Sequence, residues 1–231
     1  MSKVEELEIY RIMLAELEAE RLSTFTWLNH ASLLHFKNKI DKLSNITYVG
    51  IDGIFLKFFS GAKIKRSSAD LVLPMILDKR ELKIFLVGGE IRRIDARLNS
   101  FKNRFPKAKV LLNLSGFETN LVRRIFQEAK ENAPNIIILG LGAPKQEEVA
   151  LELSELFGSS RNLVITTCGG WLDQLTVKNY YPSWAYPLKL NWLVRLAREP
   201  RRLWRRYTID AFSIFFQLSL ITEIKNHANL H

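Results

Sequence analysis

The chain has one cysteine, Cys168, among its 231 residues, so no internal disulfide can form and a reducing compartment is the natural setting. It has no DxD pair of aspartates. Its four histidines show no metal-ligand spacing, with His30 and His35 five apart and His227 and His231 at the tail. Neither a metal site nor any other cofactor is expected. No run approaches the ~20 uninterrupted apolar residues of a membrane-spanning helix. The longest apolar stretch near the end, Ala211 to Ile221, is broken by Ser213, Gln217 and Ser219. The opening MSKVEELEIYRIMLAELEAE is acidic and charged throughout, unlike a secretory signal. The dinucleotide fingerprint GxGxxG and the P-loop are both missing, no Ser-His-Asp or Cys-His hydrolase arrangement stands out, and no helical or basic context marks Cys168 as a nucleophile. Internal repeats and low-complexity segments are absent as well.

What is present is enough apolar residue for one sizeable core: 47% of the chain is hydrophobic, which fits a single domain with a tail. Val4 to Leu22 carries helical spacing in Leu7, Ile9, Ile12, Leu14 and Leu17. Phe25 to Leu28 and Ile46 to Ile51 read as short strands. Ser68 to Leu77 reads as a helix in which Pro74 is tolerable only near a first turn or at a kink. Strands are then expected at Lys83 to Val87, Lys109 to Leu114, Asn135 to Leu139 and Asn162 to Thr167, with helices at Ile91 to Arg104 and Glu118 to Asn132. This alternation implies right-handed crossovers and an α/β, Rossmann-like, mainly parallel sheet with flanking helices. A core over residues 1–186 and a basic helical appendage over 187–231 complete the expected organisation.

Such sheets collect ligands at the carboxyl ends of their strands. Three glycine pairs follow predicted strands there: Gly88 and Gly89, Gly140 and Gly142, Gly169 and Gly170. Each pair alone is equally a tight turn between strand and helix, whereas together their loops could converge on one crevice. The most informative string is LGLGAPKQE, Leu139 to Glu147. Its glycines allow sharp backbone geometry, Pro144 suits a first helical turn, and the first helical amides lack intrahelical partners, a setting that fits a diphosphate.

Taken whole, that string resembles the GxGxPKQE motif of the WecG/TagA/CpsF family of bacterial glycosyltransferases. Further matches follow in the family's order: NHAS at Asn29 to Ser32, GIDG at Gly50 to Gly53, LKIFLVGGE at Leu82 to Glu90 with RFPKAKV after it, and PLKLNWLVRLAREPRRLWRRY from Pro187 to Tyr207. The resemblance covers about Thr26 to Tyr207. It implies metal-independent, inverting transfer of N-acetylmannosamine or a related sugar from a UDP-sugar to a polyprenyl-diphosphate-linked acceptor, in synthesis of teichoic acid, exopolysaccharide or another cell-surface polysaccharide. It makes Asp52 the general base, Arg66 a diphosphate contact and Gln146 a partner for polar groups of donor or acceptor. Asn29, Ser32, Gly53, Gly88, Gly89, Gly140, Gly142, Ala143, Pro144, Lys145 and Glu147 are then expected to line the substrate site. From the residues alone, Asp52 is more readily a cap or turn residue than a base, Arg66 a solvated charge, and Gln146 an exposed position on a first helical turn. The chain departs from the family pattern in having Ile51 before Asp52, Ser32 for Thr, Asn191 before Trp192, and Tyr180–Tyr181 before Pro182.

The C-terminal block is the second informative region. From Leu188 to Tyr207 seven Lys and Arg stand against Glu199 alone, a net +6 of the chain's +10, interleaved with Trp192 and Trp204. Basic side chains seek anionic headgroups and indoles favour the bilayer interface. The same composition serves nucleic acid or a solvated basic face. The family resemblance favours the membrane, with one or more of Arg195, Arg202 and Arg205 contacting a substrate diphosphate, and Pro200 is expected to divide the block into two helices. The expected setting is the inner face of the cytoplasmic membrane, with no nucleic-acid partner; self-association is compatible with the family.

Overall fold

The computed structural model describes residues 3–36, 40–52, 68–159, 161–182, 184, 185, 188, 190–205, 208 and 209; side chains are described for these except 3–7, 31, 40 and 202. Six strands form one sheet: β1 Leu22–Leu28, β2 Tyr48–Ile51, β3 Lys83–Gly88, β4 Lys109–Leu114, β5 Ile136–Gly140 and β6 Leu163–Thr167. Their order is β2-β1-β6-β5-β3-β4, and every pairing is parallel. The expected α/β class is therefore met by a sheet that is parallel throughout its described strands.

A parallel sheet must be covered on both faces, and its central strands read as continuous apolar runs for that reason. The two-residue side-chain period divides those runs. Ile84, Leu86, Ile136, Ile138 and Val164 point into one core, shared with the helices Lys3–Glu18 and Ala69–Leu77. Phe85, Val87, Ile137, Leu139, Leu163 and Ile165 point into the other, under the helices Leu121–Asn132 and Lys145–Phe157. Each fully buried side chain of this size contributes roughly 1.5–3 kcal/mol, so the strands that carry the crevice loops form a rigid platform. Phe101 and Phe105, at the end of the helix Ile94–Arg104, pack with Trp171 of the short helix Trp171–Gln174, the Phe105 and Trp171 rings lying 5.9 Å apart.

Two boundaries differ from the sequence reading for identifiable reasons. The first helix stops at Glu18 and β1 begins at Leu22, inside the stretch expected to be helical. LSTFTWL looks too polar for a fully buried strand, but each polar side chain has a partner. Ser23 donates to Glu16, the Thr24 amide donates to the Thr47 hydroxyl at 3.0 Å and the Thr47 amide to the Thr24 hydroxyl at 2.9 Å, and Thr26 and Thr167 hydroxyls lie 2.9 Å apart. The helix expected from Glu118 begins at Leu121, because Asn120 is left-handed at φ 53° and cannot sit inside a helix.

The tail is helical at Asn191–Arg198 and again at Pro200–Arg205, parted at Glu199. Proline offers no N–H to continue the first ladder but suits the start of the second. Val194 and Leu203 are buried, whereas Leu188, Leu193 and Trp204 are exposed. No helix among the described residues is long and apolar enough to cross a membrane.

Candidate functional site

The connection leaving β3 runs outward to β4, and the one leaving β5 runs the other way to β6. Neighbouring strands whose connections diverge open a crevice at their carboxyl ends. A cavity of about 740 Å3 lies there, within the ~300–1,000 Å3 of small-molecule sites. It is lined by Gly89, Glu90 and Arg93 after β3, Gly116 and Phe117 after β4, Gly140 to Gly142 and Lys145 after β5, and Gly169, Gly170 and Asp173 after β6. The three glycine loops thus meet on one cavity, and the loop after β4 joins them. Arg93, Lys145 and Arg198 supply positive charge; Glu90, Asp173 and Glu199 oppose it.

Gly88 sets how closely β3 and β5 approach. It pairs with Gly140 in register, adopts φ +148°, and a Cβ there would overlap the Gly140 carbonyl. Gly142 is also left-handed, at φ +75°, but has no atom within 4 Å of an added Cβ. Gly142→Ala should therefore cost only the backbone strain of ~1–2 kcal/mol. Gly88→Ala should cost about 3 kcal/mol or more, because overpacking against rigid backbone adds to that strain. Urea unfolding of the two variants checks this, and equal losses would contradict it.

The loops are also pinned from below. Arg97 is buried, at 1% exposure, and its guanidinium donates to the Gly88 carbonyl, to Asn113 Oδ1 at 2.6 Å and to the Leu114 carbonyl at 3.0 Å. It therefore holds the ends of β3 and β4 together. Gly89 accepts from the Gly116 amide at 3.0 Å and the Ser115 hydroxyl at 3.1 Å. A Cβ on Gly89 would stand 2.5 Å from Asp173 Oδ1 and 2.8 Å from Arg97 Nη1, so this glycine lies between carboxylate and guanidinium. Asp173 Oδ1 is buried and accepts no hydrogen bond from the described residues. Burial pushes the Asp173 carboxyl above the usual carboxylate range, with Arg97 and Arg93 opposing the shift. Burial likewise lowers the Arg97 pKa, and Asp173 opposes that.

The PKQE segment opens the helix Lys145–Phe157, with Pro144 at its cap after a cis Ala143–Pro144 peptide. Lys145 Nζ donates to the Gly116 carbonyl at 2.6 Å. Gln146 and Glu147, expected at the substrate surface, lie under it at 4% and 0% exposure. The Gln146 amide spans two elements: its Oε1 accepts from the Gly169 amide at 2.9 Å and its Nε2 donates to Glu147 Oε1 at 2.8 Å. The same Glu147 oxygen accepts from the Thr26 hydroxyl at 3.2 Å. In this arrangement Gln146 positions the Gly169 turn.

Asn29 and Ser32 form a reciprocal cap on the helix His30–His35. The Ser32 amide donates to Asn29 Oδ1 at 3.2 Å, and the Asn29 amide donates to Ser32 Oγ at 2.8 Å, satisfying two terminal amides as a capping box does. Asp52 follows β2, half-buried, and its amide donates to the Leu28 carbonyl at 2.7 Å. Its loop is thereby tied to the end of β1. Asp52, Asn29 and Ser32 do not line the cavity. They sit over β1 and β2, and β2 is two strand spacings, roughly 10 Å, from β6. Gly53 and Arg66 lie outside the described residues, as does the side chain of Arg202.

The tail reaches the crevice. A Cβ on Gly170 would meet Arg195 Nη2 at 3.5 Å. Arg198, Glu199 and Tyr180 line the cavity, while Arg205 is exposed and does not. Tyr181 is half-buried, and desolvation raises its phenol pKa; Arg195 opposes the shift and Asp70 and Asp52 add to it. This phenol therefore lies in the field of both Arg195 and the β2 loop. Cys168 is buried with its thiol pushed up to about 12, so it is a thiol at neutral pH. Among the described residues no three His, Cys, Asp or Glu side chains are grouped to hold a metal ion.

Sequence reasoning did not assign Arg93, Phe117, Asp173, Tyr180, Arg198 or Glu199 to the site. Asp173 had a signal, since it falls three residues after the Gly170 strand-end turn; the others gain their place only through tertiary contact. A family model for the glycosyl transferase WecG/TagA/CpsF family matches residues 2–229. A relative from Shigella boydii, UDP-Gal:alpha-D-GlcNAc-diphosphoundecaprenol beta-1,4-galactosyltransferase, is 30% identical over 208 residues, covering 84% of this chain and 85% of the relative. A parallel α/β sheet with a glycine-walled crevice and a basic helical tail is thus matched along nearly its whole length, and the chain belongs to the WecG/TagA/CpsF family of glycosyltransferases.

Proposed function

We propose that this glycosyltransferase moves a sugar from a UDP-sugar to a polyprenyl-diphosphate-linked sugar, with inversion, at the inner face of the cytoplasmic membrane. The observation that carries the reading is the separation of two regions on one sheet edge. The glycine-walled cavity over β3 to β6 suits the nucleoside diphosphate, and Asp52 stands over β2, where the donor's sugar and the acceptor would meet. Asp52 takes the acceptor hydroxyl proton as that oxygen bonds to the anomeric carbon. The bond from that carbon to UDP breaks, and its electron pair leaves with the diphosphate. Backbone amides between Gly140 and Ala143, Arg66, and tail arginines including Arg195 stabilise the departing charge. A single displacement on an α-linked UDP-sugar leaves a β-linkage, the linkage in the relative's name.

The exposed Trp184, Leu188, Leu193 and Trp204 stand beside the tail's basic residues, a composition suited to an anionic lipid surface holding the acceptor. The relative's name favours galactose as donor sugar, while the family resemblance brings N-acetylmannosamine, as used in teichoic acid and related polymers. Transfer from UDP-galactose and UDP-N-acetylmannosamine to a short polyprenyl-diphosphate N-acetylglucosamine tests the reading. Product with either donor supports it and names the sugar. Absence of product with both, together with no UDP binding, would overturn it.

A further inference from the structure

We infer that Tyr180 is a positioning residue that latches the tail helix Asn191–Arg198 over the crevice. Tyr180 belongs to the segment after β6, and its hydroxyl donates to Glu199 Oε1 at 3.0 Å. The guanidinium of the adjacent Arg198 lies over the Tyr180 ring, 4.9 Å from its centroid. Tyr181 braces that ring edge-on, with centroids 4.8 Å apart. One phenol thus holds two consecutive residues at the end of the helix, by a hydrogen bond and by a cation–π contact. All three residues line the cavity. The helix is short, with Val194 buried and Trp192 and Leu196 half-buried beside it, and the polar contact fixes its far end.

The latch fixes more than Glu199. The Glu199 amide donates to the Arg195 carbonyl at 2.9 Å, and the Leu203 amide donates to the Glu199 carbonyl at 3.0 Å. Holding Glu199 therefore sets the end of one helix and the first turn of the next. It also sets the reach of Arg195, whose guanidinium approaches the Gly170 turn one helical turn earlier. Burial and Glu199 raise the Tyr180 pKa, so the phenol remains a donor at neutral pH.

Hydrogen exchange on the full chain tests the latch without depending on turnover. In Tyr180→Phe, which keeps the ring and loses the hydroxyl, amides of residues 191–205 should exchange on the order of tenfold faster, the size of a net hydrogen bond to a charged group. Exchange in the helix Leu121–Asn132 should not change. Glu199→Ala should have at least this local effect, and adding Tyr180→Phe to it should bring no further increase, because the hydroxyl has already lost its acceptor. Glu199→Gln, whose amide oxygen still accepts from the hydroxyl but without the charge, should fall between wild type and Glu199→Ala. Wild-type exchange in Tyr180→Phe, additive single effects, or faster exchange throughout the core would each overturn the latch. Its bearing on transfer rests on the UDP-sugar reading: a loosened Arg195 should raise KM for the donor in Tyr180→Phe. Exchange that follows the latch in a chain inactive on UDP-sugars would count against that reading and leave the latch standing.

Discussion

Replacing Asp52 by Asn is expected to lower acceptor-dependent transfer by about 10²–10⁴-fold, the usual contribution of a positioned general base, while leaving UDP affinity unchanged. Asn matches Asp in shape, so the loop after β2 should keep its Asp52 amide bond to the Leu28 carbonyl. What is lost is the group proposed to accept the hydroxyl proton, needed only as the acceptor attacks. The loss should therefore appear in kcat, with little change in donor KM. Geometry supports that division, because Asp52 does not line the cavity proposed for UDP. Loss of UDP binding in Asp52→Asn would place the residue in donor recognition. Unchanged turnover would pass the base role to another carboxylate, of which Asp173 lines the cavity.

Arg97→Met is expected to destabilise the fold by about 3 kcal/mol or more, since each buried acceptor left unsatisfied costs ~1–3 kcal/mol. The Gly88 carbonyl, the Leu114 carbonyl and Asn113 Oδ1 would all lose their donor. Asp173 would also lose the nearby charge that offsets its burial. A double variant, Arg97→Met with Asp173→Asn, should recover part of the loss. The pH dependence follows from the direction of the Asp173 shift. A carboxyl whose folded pKa lies above its unfolded value binds more protons folded, so its contribution is favourable at low pH and is lost as pH rises through the carboxylate range. Removing Arg97 should widen that window. Urea midpoints of Arg97→Met should therefore fall further behind wild type as pH rises, and Asp173→Asn should flatten the trend. A loss below 1 kcal/mol would mean that water replaces the guanidinium and that the β3 and β4 turns hold themselves.

The sheet was legible because its central strands are apolar runs bounded by glycine and charge, as in Ile136–Gly140 and Lys83–Gly88. The start of β1 was not, because the burial of Ser23, Thr24 and Thr26 depends on Glu16, Thr47 and Thr167, partners far away in sequence or on another element. The glycine loops were legible as a converging set, since three strand ends with glycines in a parallel sheet must share one edge. Gln146 shows where local reading stops. The first turn of a helix predicts exposure, yet the Gly169 amide and Glu147 bury both ends of its amide. The NHAS string carries two readings at once, a helix cap in the fold and a substrate neighbour by resemblance. Tyr180, Arg198 and Glu199 could not be assigned from spacing: the resemblance brings tail arginines to a substrate diphosphate, but nothing along the chain says which residues meet where the tail reaches the crevice.

In the proposed reaction, one sheet edge couples release of a nucleoside diphosphate to capture of the sugar by a lipid-linked acceptor. The most direct test measures UDP released and acceptor glycosylated in one reaction, with and without a short polyprenyl-diphosphate sugar. One UDP per glycosylated acceptor is expected, with release that depends on acceptor. UDP release that is indifferent to acceptor, with no glycosylated product, would contradict that coupling.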